Sequence, residues 1–170
     1  MDSYTITPSH RNSPRTTSQE LWALLGWIGL SCTASISAVF ISTGDWFREL
    51  QKPSWNPPNW VFGPVWTTLY ILMGVAAWYV WRQGGWRAQR GPLALFLVQL
   101  ILNAIWTPLF FGIHDLGLAL LDIGLLWLAL LATAIAFLRV QTLAGGLLLP
   151  YIAWVSFAMA LNFRIWQMNS

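Results

Sequence analysis

The chain is poor in charge, cysteine and histidine, and each shortage excludes something. Only 9% of its 170 residues are charged, against roughly 25% in soluble domains, which is too few to cover a water-facing surface. Cys32 is the single cysteine, so no intrachain disulfide framework can form. His10 and His114 lie far apart without neighbouring ligands at metal spacing, and no metal centre is expected. No HExxH, CxxC, Walker or GxGxxG pattern occurs, which leaves metalloprotease, dithiol and nucleotide chemistry without support. The net charge of +3 comes from cations flanking apolar runs. That fits a membrane surface rather than a nucleic-acid partner.

What is present is hydrocarbon. The chain is 56% hydrophobic and holds 13 tryptophans. Apolar windows at about 21–41, 60–81, 92–112, 116–138 and 143–163 each approach the ~20 residues needed to span a bilayer as a helix. Barrel strands need only ~10 residues of alternating polarity, so a barrel is excluded. The fold class is therefore an all-α integral membrane protein, a bundle of five transmembrane helices over about residues 20–167. Residues 1–19, polar and rich in Ser, Thr and Pro, read as a disordered tail. They do not resemble a secretory signal, because the apolar run that follows is too long and lacks a small-residue cleavage site. An odd number of spans places Arg11, Arg15, Arg82, Arg87, Arg90 and Arg139 on one side. Arg48, Lys52 and Arg164 fall on the other, so the N-terminus is expected in the cytoplasm.

The connector between the first two spans is unusual. Gln51–Tyr70 carries four prolines and three tryptophans with one charge, and proline stiffens both itself and the residue before it. The connector is long for so compact a bundle, which points to a functional lid. Before the prolines, Trp46, Phe47 and Leu50 share one face of a short amphipathic segment expected at the membrane interface. Trp55 would hang from this lid toward a pocket.

Helical spacing groups residues in three of the spans. Gly63, Trp66, Tyr70 and Met73 form one stripe, Gln99, Asn103, Trp106 and Phe110 a second, and Tyr151, Trp154, Ala158 and Asn162 a third. Large aromatics interleaved with amides or small residues suit the pocket of a flat, mostly apolar ligand. Simpler readings compete. Trp60, Trp81, Trp86 and Trp166 stand near helix ends, as interfacial belt residues do, while Trp22 and Trp127 suit packing against lipid or neighbouring helices. Gln99 and Asn103 could hydrogen-bond between helices. Asp122 is an intramembrane acid and so a functional candidate, although it could also reach the interface. Ser31, Ala34, Ser35 and Ala38 offer small-residue spacing for close helix approach.

Three stretches carry a family resemblance. Gln51–Tyr70 is similar to the lid and second-helix signature of the translocator protein (TspO/MBR, peripheral benzodiazepine receptor) family. Leu102–Gly112 and Leu149–Trp154 are similar to its third- and fifth-helix signatures. The resemblance implies a membrane receptor or carrier for tetrapyrroles such as protoporphyrin IX and related hydrophobic molecules, serving stress sensing or porphyrin homeostasis. It implies ligand contacts at Trp55, Pro57, Trp66, Asn103, Trp106, Trp154 and Ala158, no required cofactor beyond the porphyrin ligand, and a homodimer. The host would be a bacterial membrane or the mitochondrial outer membrane. Two alternatives stand beside it. One is light- and oxygen-dependent porphyrin breakdown, with Trp66 and Trp154 as the candidate catalytic residues; the other is sterol or lipid transport. An alternating-access pump is disfavoured, since no internal repeat is evident and a single acid is buried. The chain departs from the family's sterol-recognition pattern at Leu161-Asn162-Phe163-Arg164, where tyrosine is replaced by Phe163.

Overall fold

The computed structural model describes residues 16–41 and 44–170, and among these every regular element is helical. In chain order the helices are α1 (Thr17–Cys32), α2 (Ile36–Phe40), α3 (Gly44–Glu49), α4 (Phe62–Arg82), α5 (Gly85–Ala88), α6 (Arg90–Thr107), α7 (Leu116–Val140), α8 (Thr142–Gly146) and α9 (Leu149–Asn169). Together they form five stretches long and apolar enough to cross a bilayer: Thr17–Ala38, Asn59–Arg82, Arg90–Gly112, Leu116–Val140 and Thr142–Asn169. The five expected spans are all there.

The first helix begins earlier than hydropathy suggests. Thr16 Oγ1 accepts the Gln19 N–H at 3.4 Å, and the Gln19 side chain accepts the Thr16 N–H at 3.1 Å. This reciprocal cap satisfies two otherwise orphaned donors. Residues 17–19, assigned above to the polar tail, are thus the first helical turn, while residues 1–15 lie outside the described residues.

Two spans depart from α geometry, each for a local reason. Between α1 and α2 the chain tightens into a 3-10 turn over Thr33–Ser35. There the hydroxyls of Ser31, Thr33 and Ser35 donate to the carbonyls of Trp27, Leu30 and Cys32 at 2.9, 2.6 and 2.7 Å. Such back-bonding competes with the helical ladder and bends helices. After α6 the chain widens into a π turn over Pro108–Gly112. Pro108 has no N–H, so the Ala104 carbonyl loses its helical donor. Ser37 Oγ, from α2, donates to that carbonyl at 3.2 Å. His114 then takes the left-handed conformation, φ 58°, and Asp115 caps α7 by accepting the Leu118 N–H at 2.8 Å.

The helices form a ring. Close packing joins α1 to α4, α6 to α7, and α7 to α9, with α8 against α4. Small residues make the tightest crossing possible: a Cβ added at Gly74 would stand 2.5 Å from Ile28 Cα and 2.7 Å from Ile28 N. One core cluster includes Met73, Ala76, Ala77, Val80, Phe96, Leu130 and Phe137. A second, under the lid, gathers Phe47, Phe110, Leu116, Ala119, Leu161 and Ile165. At the membrane edge Arg82 pairs with Glu20 at 2.7 Å.

Gly74→Ala should therefore force α1 away from α4 and cost about 1–3 kcal/mol, as overpacking does. Gly29→Ala, with open space around it, should leave stability at or above that of the parent. Melting temperatures in detergent compare the two.

Candidate functional site

Between the two core clusters lies a cavity of about 590 Å³, within the ~300–1,000 Å³ typical of small-molecule sites. All five spans contribute to its wall. Cys32, Ser35 and Ala38 come from the bent first span, and Gly63, Trp66, Thr67 and Tyr70 from α4. Asn103, Trp106 and Thr107 come from α6, Ile123 and Leu126 from α7, and Trp154, Val155, Ala158 and Asn162 from α9. The three stripes read from spacing converge here except at Met73, Gln99 and Tyr151, which lie off the wall, because each stripe occupies one helical face and the ring turns those faces inward.

The wall is aromatic with a few organised polar groups. The Tyr70 hydroxyl donates to Asn103 Oδ1 at 2.9 Å, and Asn103 Nδ2 donates to the Tyr151 hydroxyl at 2.8 Å. One amide thus ties three helices together, and it keeps spare donor and acceptor capacity. Trp106 Nε1 donates to Asn162 Oδ1 at 3.2 Å, while Asn162 Nδ2 donates to the Leu116 carbonyl at 3.0 Å. Trp66 stacks on Tyr70 with ring centres 5.5 Å apart and meets Tyr151 edge-on at 6.1 Å. Trp154 meets Phe62 edge-on at 5.8 Å.

Of the residues expected to touch a ligand, Trp66, Asn103, Trp106, Trp154 and Ala158 line this one cavity. Trp55 and Pro57 do not line it. Trp55 is about half exposed and meets Phe157 edge-on at 5.7 Å; it braces the lid's outer part against α9. Ser31 and Ala34 are buried in the bundle, where small side chains allow close helix approach, while Ser35 and Ala38 line the cavity. Gln99 is fully buried outside the cavity wall, and neither of its amide atoms is hydrogen-bonded among the described residues. Asp122 is likewise buried within the bundle, with Oδ2 unpartnered among the described residues. Trp22, Trp60, Trp86 and Trp166 are exposed, whereas Trp81 packs against the core. Trp127 donates to Ser156 Oγ at 2.8 Å. No group of three or more His, Cys, Asp or Glu side chains gathers among the described residues.

The lid borders the cavity at one end through Phe47 and Asn59. In α3, Asp45, Arg48 and Glu49 are exposed while Phe47 is buried. The amphipathic pattern is as expected, but its apolar face turns onto the bundle, where Phe47 meets Phe111 at 5.3 Å and Phe110 at 6.2 Å. Trp46 stacks on His114 with ring centres 4.0 Å apart, which gives the left-handed histidine a role in anchoring the lid. Lys52 caps the end of α3, donating to the Leu50 and Arg48 carbonyls at 3.0 and 3.3 Å. It also lies 4.6 Å over the Phe47 ring, an attractive cation–π arrangement. Finally, the Asn169 side chain grips the lid backbone: Gln51 N–H donates to Asn169 Oδ1 at 3.0 Å, and Asn169 Nδ2 donates to the Gln51 carbonyl at 2.9 Å. Spacing could not have revealed Asn169, which is 118 positions away from its partner.

The profile of the TspO/MBR family matches residues 21–167. The Protein CrtK of Rhodobacter capsulatus is 42% identical over 147 residues, covering 84% of this chain and 89% of that protein. The human Translocator protein is 46% identical over 126 residues, covering 73% and 75% respectively. The Tryptophan-rich sensory protein of Cereibacter sphaeroides is 39% identical over 149 residues, covering 87% and 92%.

The clasp yields a prediction. Asn169→Ala removes the two clasp hydrogen bonds, worth ~0.5–1 kcal/mol each, together with a third within α9, from Asn169 Nδ2 to the Ile165 carbonyl at 2.8 Å. Amide exchange at Gln51 and its lid neighbours should rise roughly tenfold, since 1.4 kcal/mol corresponds to a factor of ten, while exchange in α4 and α7 stays unchanged. Hydrogen–deuterium exchange with mass spectrometry reads both.

Proposed function

This chain belongs to the TspO/MBR family, and on that premise we propose that it is a membrane receptor or carrier whose cavity takes up a flat hydrophobic ligand, a tetrapyrrole of the protoporphyrin IX type. The observation that carries the proposal is the meeting of Trp66, Trp106 and Trp154 around one cavity of about 590 Å³, bordered on the lid side by Phe47 and Asn59. Indole faces stack on a planar macrocycle with favourable dispersion and quadrupole terms. Asn103, already oriented by two tyrosine hydroxyls, offers its remaining hydrogen-bonding capacity to a polar edge. Ala158 leaves room where a larger side chain would project into the cavity.

The second reading, light- and oxygen-dependent breakdown of the bound porphyrin, draws support from the same placement. Trp66 and Trp154 bring two oxidisable indoles to the cavity wall. The two readings part at one observation: under illumination with oxygen, an enzyme yields new absorption bands that vanish in the tryptophan variants, and a receptor does not.

Tryptophan quenching by protoporphyrin IX in detergent tests the receptor reading. The parent protein should show saturable quenching at micromolar ligand, and the Trp66→Phe/Trp154→Phe protein should bind about tenfold more weakly, a loss of ~1.4 kcal/mol consistent with removed aromatic contact. Linear quenching, or curves identical in the two proteins, would reduce the effect to micelle partitioning and remove the assignment.

A further inference from the structure

We propose that the seam between α4 and α9 is a lateral portal through which an apolar ligand passes between the bilayer and the cavity, with the Trp154 indole as its gate. The proposal rests on the receptor reading above, because a portal requires a cargo.

The ring of helices is not closed equally all round. α1 and α4 touch at backbone distance through Gly74, and α6 with α7 and α7 with α9 pack closely along their lengths. By contrast, α4 and α9 are not among the closely packed pairs. They meet through ring edges, Phe62 on Trp154 at 5.8 Å and Trp66 on Tyr151 at 6.1 Å. Within the fifth span, only the short α8, ahead of α9, packs closely against α4.

Outside this seam runs an open groove lined by Pro64, Val65, Thr68, Pro150, Ala153 and Trp154 among others. Trp154 lines both the groove and the cavity, so one indole is the partition between them. The groove's chemistry specifies hydrocarbon as its occupant. Pro64 and Pro150 lack backbone donors, and the Thr68 hydroxyl is spent on the Pro64 carbonyl at 2.9 Å. In a chain that spans a bilayer, such a surface faces lipid acyl chains. A ligand dissolved among them reaches it without crossing water.

The indole, packed against Phe62 and Phe157 at 5.8 and 5.5 Å, is held by no hydrogen bond among the described residues. Trp106 and Trp127 are tethered by hydrogen bonds at 3.2 and 2.8 Å, whereas Trp154 Nε1 is buried without a partner among the described residues. Swinging Trp154 aside therefore breaks no hydrogen bond. The route through the lid is costlier, since it requires release of the Asn169 clasp and of the Trp46–His114 stack.

Stopped-flow exchange of protoporphyrin IX with the full chain in phosphatidylcholine vesicles tests the portal. A153W and T68W, each adding bulk in the groove outside the cavity wall, should slow both uptake and release at least about fivefold with Kd within about twofold of the parent, as blocking a gate requires. V98W, on the lipid-exposed face of α6, and N169A, which frees the lid, should leave both rates unchanged. Unaltered rates in A153W and T68W at normal affinity, or faster exchange in N169A, would overturn the portal and leave the cavity reading standing. A parent protein that takes up no porphyrin would overturn the receptor reading and the portal together. A153W that elutes with a changed oligomeric state would assign the groove to a second copy of the chain and overturn the portal. T68W keeps the test decisive if A153W does not fold.

Discussion

Hydrocarbon offers no water to hydrogen-bond, so every backbone donor and acceptor inside the bilayer must find its partner within the chain. The shape of this protein follows from how that requirement is met where the helical ladder fails. Pro108 deprives the Ala104 carbonyl of its donor, and Ser37 from another span supplies one. Three hydroxyls in the first span take over backbone carbonyls and tighten it into a 3-10 turn. Both repairs bear on the site. The bend presents Ser35 and Ala38 to the cavity, and the π turn sets Phe110 and Phe111 beneath the lid.

Between helices the driving force is packing rather than expulsion of water, because lipid tails are as apolar as leucine. Side-chain size then sets helix spacing. Glycine at position 74 lets two backbones touch, whereas indoles and phenols on the inward faces hold the helices apart. The same residues that prevent closure line the space they create. A cavity of this kind follows from an aromatic-rich interior that cannot interdigitate to full density.

The cavity meets two surroundings through different barriers. Toward water stands the lid, held by a reciprocal amide clasp, a Trp–His stack and phenylalanine contacts. Toward lipid stands an aromatic seam with a single indole as partition. Polar contacts resist opening by their hydrogen bonds; ring-edge contacts resist it by dispersion alone. That difference makes the lipid-facing side the softer one.

The five spans and the helical class were legible in the sequence because hydropathy and length are local properties. The inward stripes holding Trp66, Asn103, Trp106, Trp154 and Ala158 were legible too, since a helix repeats every three to four residues whatever surrounds it. Local pattern could not say that Trp55 and Pro57 lie off the cavity wall, that Ser35 and Ala38 lie on it, or that Asn169 holds the lid at Gln51. Nor could it separate Trp154, which borders two spaces, from Trp106, which borders one. These outcomes depend on the order of helices around the ring and on how far each is rotated. Both are decided by contacts between residues distant in the chain, which no periodicity within a single helix encodes.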